Sequence, residues 1–154
     1  MYLAAECRYR EGRFLLEQGK LDAGIYLLGY VAEMTLKLAY CRLDPTLSFQ
    51  QLVMSRLSVA ESRWRAIYGR GAGTRLDLHN PVALLIILED GRSLFGLSSL
   101  TAEETRLINS YVFTIHDNWM VGMRYRGHHA TVQEADAVLV AVEWLRDNYQ
   151  LLWK

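Results

Sequence analysis

The stretch DAGIYLLGYVAEMTLKLAY, running from Asp22 to Tyr40, decides the fold. Its apolar residues Ile25, Leu27, Leu28, Tyr30, Val31, Ala32, Met34, Leu36, Leu38 and Ala39 surround most of a helical circumference. That pattern predicts a helix enclosed by its neighbours, because a helix with one apolar stripe would face solvent on the rest. Past Asp22 the only charges are Glu33 and Lys37, one helical turn apart with the acid on the N-terminal side, the favourable order for a pair. Tyr26, Tyr30 and Tyr40 share their stripe, and rings with polar tips suit a wet interface or groove. Glu33, Lys37 and, further on, His79 are therefore the candidates for a structural polar cluster, since a charge inside an apolar helix needs a partner.

Working outward, residues Leu3 to Gln18 read as a first amphipathic helix, with Leu3, Cys7, Phe14 and Leu15 expected inward and Arg8, Glu11 and Glu17 outward. Gly19 ends it. Asp22 is an N-cap or first-turn acid of the enclosed helix, and so short a connection makes the two helices antiparallel neighbours. Asp44-Pro45 stops the enclosed helix, because the residue before proline is pushed out of helical geometry. A weaker helical pattern runs from Ser48 to Tyr68, and the glycine-rich GRGAGTR from Gly69 to Arg75 reads as a hinge or turn, lacking the Gly-Lys-Ser/Thr ending of a phosphate loop.

His79-Asn80-Pro81 opens another helix, with His79 or Asn80 capping and Pro81 in the first turn. Asp90-Gly91 is expected to end or fray it. Thr101 with Glu104, and Thr131 with Glu134, have capping-box spacing and start the last two helices. Every periodic segment follows the 3.6 rhythm and none alternates like a strand, so the fold class is all-α, an up-and-down bundle of about five helices.

Composition agrees. The 154 residues are 51% hydrophobic, enough for residues 1–154 to form one domain around a sizeable core. Basic and acidic side chains number 17 each, so no global field attracts nucleic acid or membrane, and any such partner must be held by a local patch. Arg56, Arg63, Arg65, Arg70 and Arg75 against Glu61 form one basic stretch. Cys7 and Cys41 have no second ligand at metal spacing and read as packing residues of a reduced compartment. No run reaches the length of a membrane span and the start lacks a signal-peptide core, so a cytoplasmic protein with no metal or cofactor is expected.

Chemistry concentrates in Arg124-Tyr125-Arg126-Gly127-His128-His129, where two cations and two imidazoles precede a helix N-terminus. Backbone N–H groups and the helix dipole attract an anion there, Arg grips phosphate bidentately, and a His can move a proton. His116 and Asp117 are adjacent on a helix, which turns their side chains apart.

Gly29, Tyr30, Glu33, Leu36 and Lys37 in LGYVAEMTLKLAY, after a first amphipathic helix, resemble the second helix of HEPN domains, a family of small all-helical proteins. LHNPVALLIILE from Leu78 resembles that family's His-Asp-Leu helix start, with Asn80 where Asp is usual, and WMVGMRYRG from Trp119 resembles its Trp, then Arg-Tyr, segment. The resemblance spans almost the whole chain. It implies a homodimer and, in the catalytic branch, a metal-independent endoribonuclease of toxin or RNA-processing type. There an Arg followed four to six residues on by a His cleaves RNA, which corresponds to Arg124 and His129. Tyr125 stands where a small polar residue is preferred, and Thr131 where a Tyr is frequent. Arg126, His128 and Tyr125 are then candidate RNA or anion contacts. The alternative implication is a non-catalytic module that binds nucleotide or RNA or pairs with a nucleotidyltransferase or antitoxin. A purely structural dimerisation domain is the third.

Overall fold

The structure, a computed structural model, describes residues 1–43, 62, 65, 66, 79–125 and 130–153, with backbone alone at 124 and 125. Among these residues there is no strand, and five α-helices make an all-α bundle: α1 (Tyr2–Glu17), α2 (Leu21–Leu43), α3 (Pro81–Leu94), α4 (Ala102–Asn118) and α5 (Val132–Asp147). Two short 3-10 turns, Val121–Tyr125 and Tyr149–Leu152, follow α4 and α5. None of the described helices is long and apolar enough to cross a membrane. Of the weak pattern from Ser48 to Tyr68, only Ser62, Arg65 and Ala66 are described, and all three are helical. The glycine-rich run and the other arginines of the basic stretch lie outside the described residues.

α2 is the hub, packing against α1, α3, α4 and α5. Ile25, Leu28, Val31, Ala32, Leu36 and Ala39 are all at most 1% exposed, which is the enclosure their spacing implies. Along the polar stripe Tyr40 is 2% exposed and Glu33 4%, whereas Tyr26, Tyr30 and Lys37 are only partly buried. α3 is enclosed more continuously still, with Pro81 to Leu88 buried without a break. Asp90-Gly91 does not end α3, which runs through to Leu94. A Cβ at Gly91 would lie 2.7 Å from Leu43 Cδ1 and 2.9 Å from Tyr40 Cε2, so the glycine gives α2's last turns room to dock.

α1 rotates relative to expectation. Its buried residues are Ala5, Tyr9 and Gly12, whereas Leu3 is 78% and Phe14 59% exposed, and Cys7 is exposed too. Two interactions set that rotation. A Cβ at Gly24 of α2 would lie 2.3 Å from Leu16 Cδ2 and 3.1 Å from the Gly12 carbonyl oxygen, so the backbones approach closely along the glycine face. Tyr9 meanwhile donates its hydroxyl to Glu143 of α5 and lies under the Arg146 guanidinium, 4.2 Å from its ring centre, while Arg146 Nε donates to Glu6 at 2.8 Å. A polar seam with one aromatic ring thus overrides the simpler apolar count. Cys41 is half-buried, and burial raises its thiol pKa.

The helix ends are built from side chains. Thr101 with Glu104 and Thr131 with Glu134 each form a complete capping box. Arg92, 6% exposed, donates to the carbonyls of Leu151 at 2.9 Å and Ser98 at 2.7 Å, tying the end of α3 to the turn after α5 and to the α3–α4 connection. Burial lowers its pKa, with Glu104 and Glu89 opposing the shift.

Burial, then the bond to Glu143, raise the Tyr9 pKa. A group stabilised in its protonated form contributes fully below its unfolded pKa and loses that contribution as pH rises through the folded value. Tyr9→Phe should therefore cost about 1 kcal/mol near neutral pH, and chemical denaturation across the alkaline range should show a shallower fall in stability for the variant than for wild type.

Candidate functional site

The site is built where the inward polar stripe of α2 meets the start of α3 and the end of α4. Trp119 makes the junction. α4 stops at Asn118, Trp119 adopts extended backbone (φ −129°, ψ 136°), and its side chain, 3% exposed, swings onto α2. Its ring covers the place where a Cβ at Gly29 would stand, with three indole atoms 2.1–2.2 Å from that position. Its Nε1 donates to the Tyr26 carbonyl oxygen at 3.0 Å, which satisfies the buried indole N–H. Tyr30 meets the indole edge to face at 5.6 Å and Tyr26 at 5.0 Å, with the two tyrosine hydroxyls 2.9 Å apart.

One turn further along the stripe, Glu33 uses both carboxylate oxygens. Lys37 Nζ donates to Oε1, and His79 Nδ1 lies 3.0 Å from Oε2. An ionised carboxylate only accepts, so Nδ1 carries the proton and donates, and in neutral His79 the acceptor lone pair is on Nε2. The Glu33 side chain is 6% exposed, Lys37 16% and His79 48%, so the carboxylate is buried behind an imidazole that is half in solvent. The neighbouring Asn80 caps α3, its Oδ1 accepting from Val82 N at 2.9 Å and Ala83 N at 3.3 Å, with Pro81 in the first turn. His79 therefore ties α3 to α2 while Asn80 satisfies α3's own N–H groups.

Two pockets, each of about 90 Å³, flank Trp119–Met123 and share Met120. In the first, His79 and Asn80 from the start of α3 face His116, Trp119 and Val121. In the second, Asp117 and Asn118 from the end of α4 meet Met123, Ala130 and Glu134. His116 and Asp117 thus open into different pockets, as adjacent residues on a helix must. Ala130 is held by α2, its N–H donating to Oδ1 of the first-turn acid Asp22 at 3.0 Å.

Glu33, Lys37 and His79 are thus brought together. Arg126, His128 and His129, and the side chains of Arg124 and Tyr125, lie outside the described residues. Among the described residues no group of three His, Cys, Asp or Glu side chains is arranged to hold a metal ion. Sequence reading missed the pairing of His79 with His116 in one pocket, since nothing in the spacing of two histidines on separate helices connects them. It also missed Trp119 as the bridge to α2, for which the glycine at position 29 inside an apolar helix was the available signal.

No family model, curated protein or solved structure matches the chain.

Gly29→Ala should displace Trp119 and cost about 1–3 kcal/mol of unfolding free energy, the usual range for overpacking. Gly122→Ala, where an added Cβ meets nothing within 4 Å, should stay close to wild type in the same denaturant titration. Glu33→Ala strands Lys37 and His79 and should cost about 3 kcal/mol; Glu17→Ala, at an exposed pair on α1, should change stability by less than about 1 kcal/mol. Equal melting temperatures for these two acid variants would show that Glu33 carries no structural weight.

Proposed function

We propose that the chain is an RNA-associated domain of the HEPN kind, a metal-independent endoribonuclease that works as a homodimer with Arg124 and His129 as its reacting pair. One observation carries this reading beyond the resemblance. A site shared by these residues needs both to begin at one opening, and Met123 and Ala130, one residue from each, line the same pocket. The exposed Leu3 and Phe14 on α1 leave an apolar outer face for a second copy, and isologous contact is the commonest way to cover such a face.

The 2′-hydroxyl oxygen attacks the adjacent phosphorus and the bond to the 5′-oxygen breaks. His129 takes the hydroxyl proton or supplies one to the leaving oxygen, and Arg124 holds the phosphate as charge grows on it. The products are a 2′,3′-cyclic phosphate and a 5′-hydroxyl. Arg126 and Tyr125 contact the RNA backbone around that centre, with His128 at its edge.

A non-catalytic module of the same kind, binding nucleotide or RNA or pairing with a nucleotidyltransferase or antitoxin, is the second reading. Asp117 and Glu134 on the pocket wall favour its partner-pairing form, because carboxylates repel a phosphate backbone.

Purified protein incubated with labelled RNA in EDTA decides between them. Cleavage to cyclic-phosphate ends is expected. His129→Ala should lose about 10²–10⁴-fold in rate with its fold intact, the range for removal of a general acid or base, and His128→Ala should keep most activity. Intact RNA with wild-type protein, or an unimpaired His129→Ala, removes the catalytic reading. Light scattering at micromolar concentration should return twice the chain mass.

A further inference from the structure

α1 has a second patterned face, turned away from the bundle. Leu3, Cys7, Arg10, Phe14 and Glu17 recur at alternating steps of four and three and are all exposed, on the side opposite the buried Ala5, Tyr9 and Gly12. That alternation is the seam spacing with which one helix packs along another. We propose that this seam pairs antiparallel with the same seam of a second copy, so that Leu3 of each chain packs against Phe14 of the other. The proposal rests on the homodimer of the preceding reading and names its surface.

The apolar ends set the direction. Leu3 is 78% and Phe14 59% exposed, and they stand eleven positions apart with the small side chain of Cys7 between them. With a two-fold axis crossing the seam midway between Arg8 and Tyr9, each Leu3 lies level with a Phe14, so one contact is made twice and both large side chains are covered. Leu3 then enters the shallow opening that Tyr9, Arg10, Arg13, Phe14 and Glu17 border on the other chain. A parallel pair would instead put Arg10 level with Arg10, like charges directly opposed.

Charge sets the partner. α1 carries Arg8, Arg10 and Arg13 against Glu6, Glu11 and Glu17, so its surface is balanced and draws neither a phosphate backbone nor an anionic membrane. Most of these charges are already engaged: Arg8 pairs with Glu11, Arg13 with Glu17, and Glu6 with Arg146 of α5. Arg10 has no ion-pair partner among the described residues. In the antiparallel register it comes level with Cys7 of the other chain, one residue from Glu6 and on the same flank of the seam, so this cation is brought beside an acid. A single helix face is smaller than the ~800 Å² per partner of a standard interface, so monomer and dimer are expected in measurable exchange.

Sedimentation equilibrium of the full chain over a concentration series tests this. Leu3→Glu places an acid in the first turn of α1 and Phe14→Lys a base in its last, changes that suit the helix dipole, so both variants should keep the wild-type circular dichroism. Each should weaken dimerisation about tenfold or more, the loss expected when an apolar anchor is removed. Combined in one chain, they oppose unlike charges at both contacts and should weaken it by less than the product of the separate effects. Positions 3 and 14 are about 16 Å apart along one helix, beyond the ~8 Å screening length at physiological salt, so that recovery reads contact between chains. A dimer that neither single variant weakens, or a combined variant with no recovery, would overturn this pairing and leave the homodimer standing. A wild-type chain that is monomeric throughout would overturn both and leave the face to a helix of another protein. RNA cleavage enters none of these readouts, so an inactive protein that dimerises in this way would remove the catalytic reading alone.

Discussion

The closest constraint in this bundle is the indole of Trp119 lying against the backbone of α2 where residue 29 has no side chain. Only a glycine lets a ring approach so far, and the contact is doubly specified because the indole N–H also needs the Tyr26 carbonyl. The consequence reaches well beyond one contact. By pulling the end of α4 onto α2, Trp119 sets where Val121–Tyr125 begins, and that turn separates the two pockets. Gly24 and Gly91 serve the same economy at α1 and α3: α2 is approached at glycines from three directions, which is how a helix of 23 residues can be packed on almost every side.

A buried carboxylate in such a helix is costly unless both oxygens are engaged, since the desolvation of an ion is several kcal/mol even after relaxation. Glu33 meets that condition with a lysine from its own helix and a histidine from the start of α3. The pair on one helix could form in isolation; the histidine could not, because residues 33 and 79 meet only once α3 docks. Glu33 thus favours one arrangement of α3 on α2, with Asn80 capping α3 immediately beside it.

The helices were legible in the sequence because their signals are local. Apolar spacing marked α2, Asn80-Pro81 marked the start of α3, and Thr with Glu three residues on marked α4 and α5. What failed was orientation and extent. Leu3, Cys7 and Phe14 outweigh Ala5, Tyr9 and Gly12 on a hydrophobicity count, yet the latter are buried, because Gly12 packs closely against Gly24 and Leu28 of the next helix and the Tyr9 seam reaches Glu143, 134 positions away. Gly91 read as a terminator for a related reason: a glycine in a helix is locally destabilising, and only the presence of Tyr40 and Leu43 shows what it makes room for. Within the site, Glu33 with Lys37 was readable from spacing alone, while His79 with His116 depends on tertiary packing.

The placement of the polar stripe also changes what α2 can offer a partner. A stripe containing Tyr26, Tyr30, Glu33, Lys37 and Tyr40 would, on an isolated helix, present aromatic rings and a compensated charge to another molecule. Here Trp119 takes the tyrosine end, His79 takes the charged end, and Tyr40 is closed over by α3 at Gly91. Much of the interface-like chemistry of α2 is thus engaged within the chain, while among the described residues exposed large apolar side chains occur on α1 (Leu3, Phe14), beside Trp119 (Met120) and on α5 (Val132, Val140). On α1, Arg10, Arg13 and Phe14 border one shallow surface opening, while the pockets beside Trp119 are lined by α2, α3, α4 and the approach to α5.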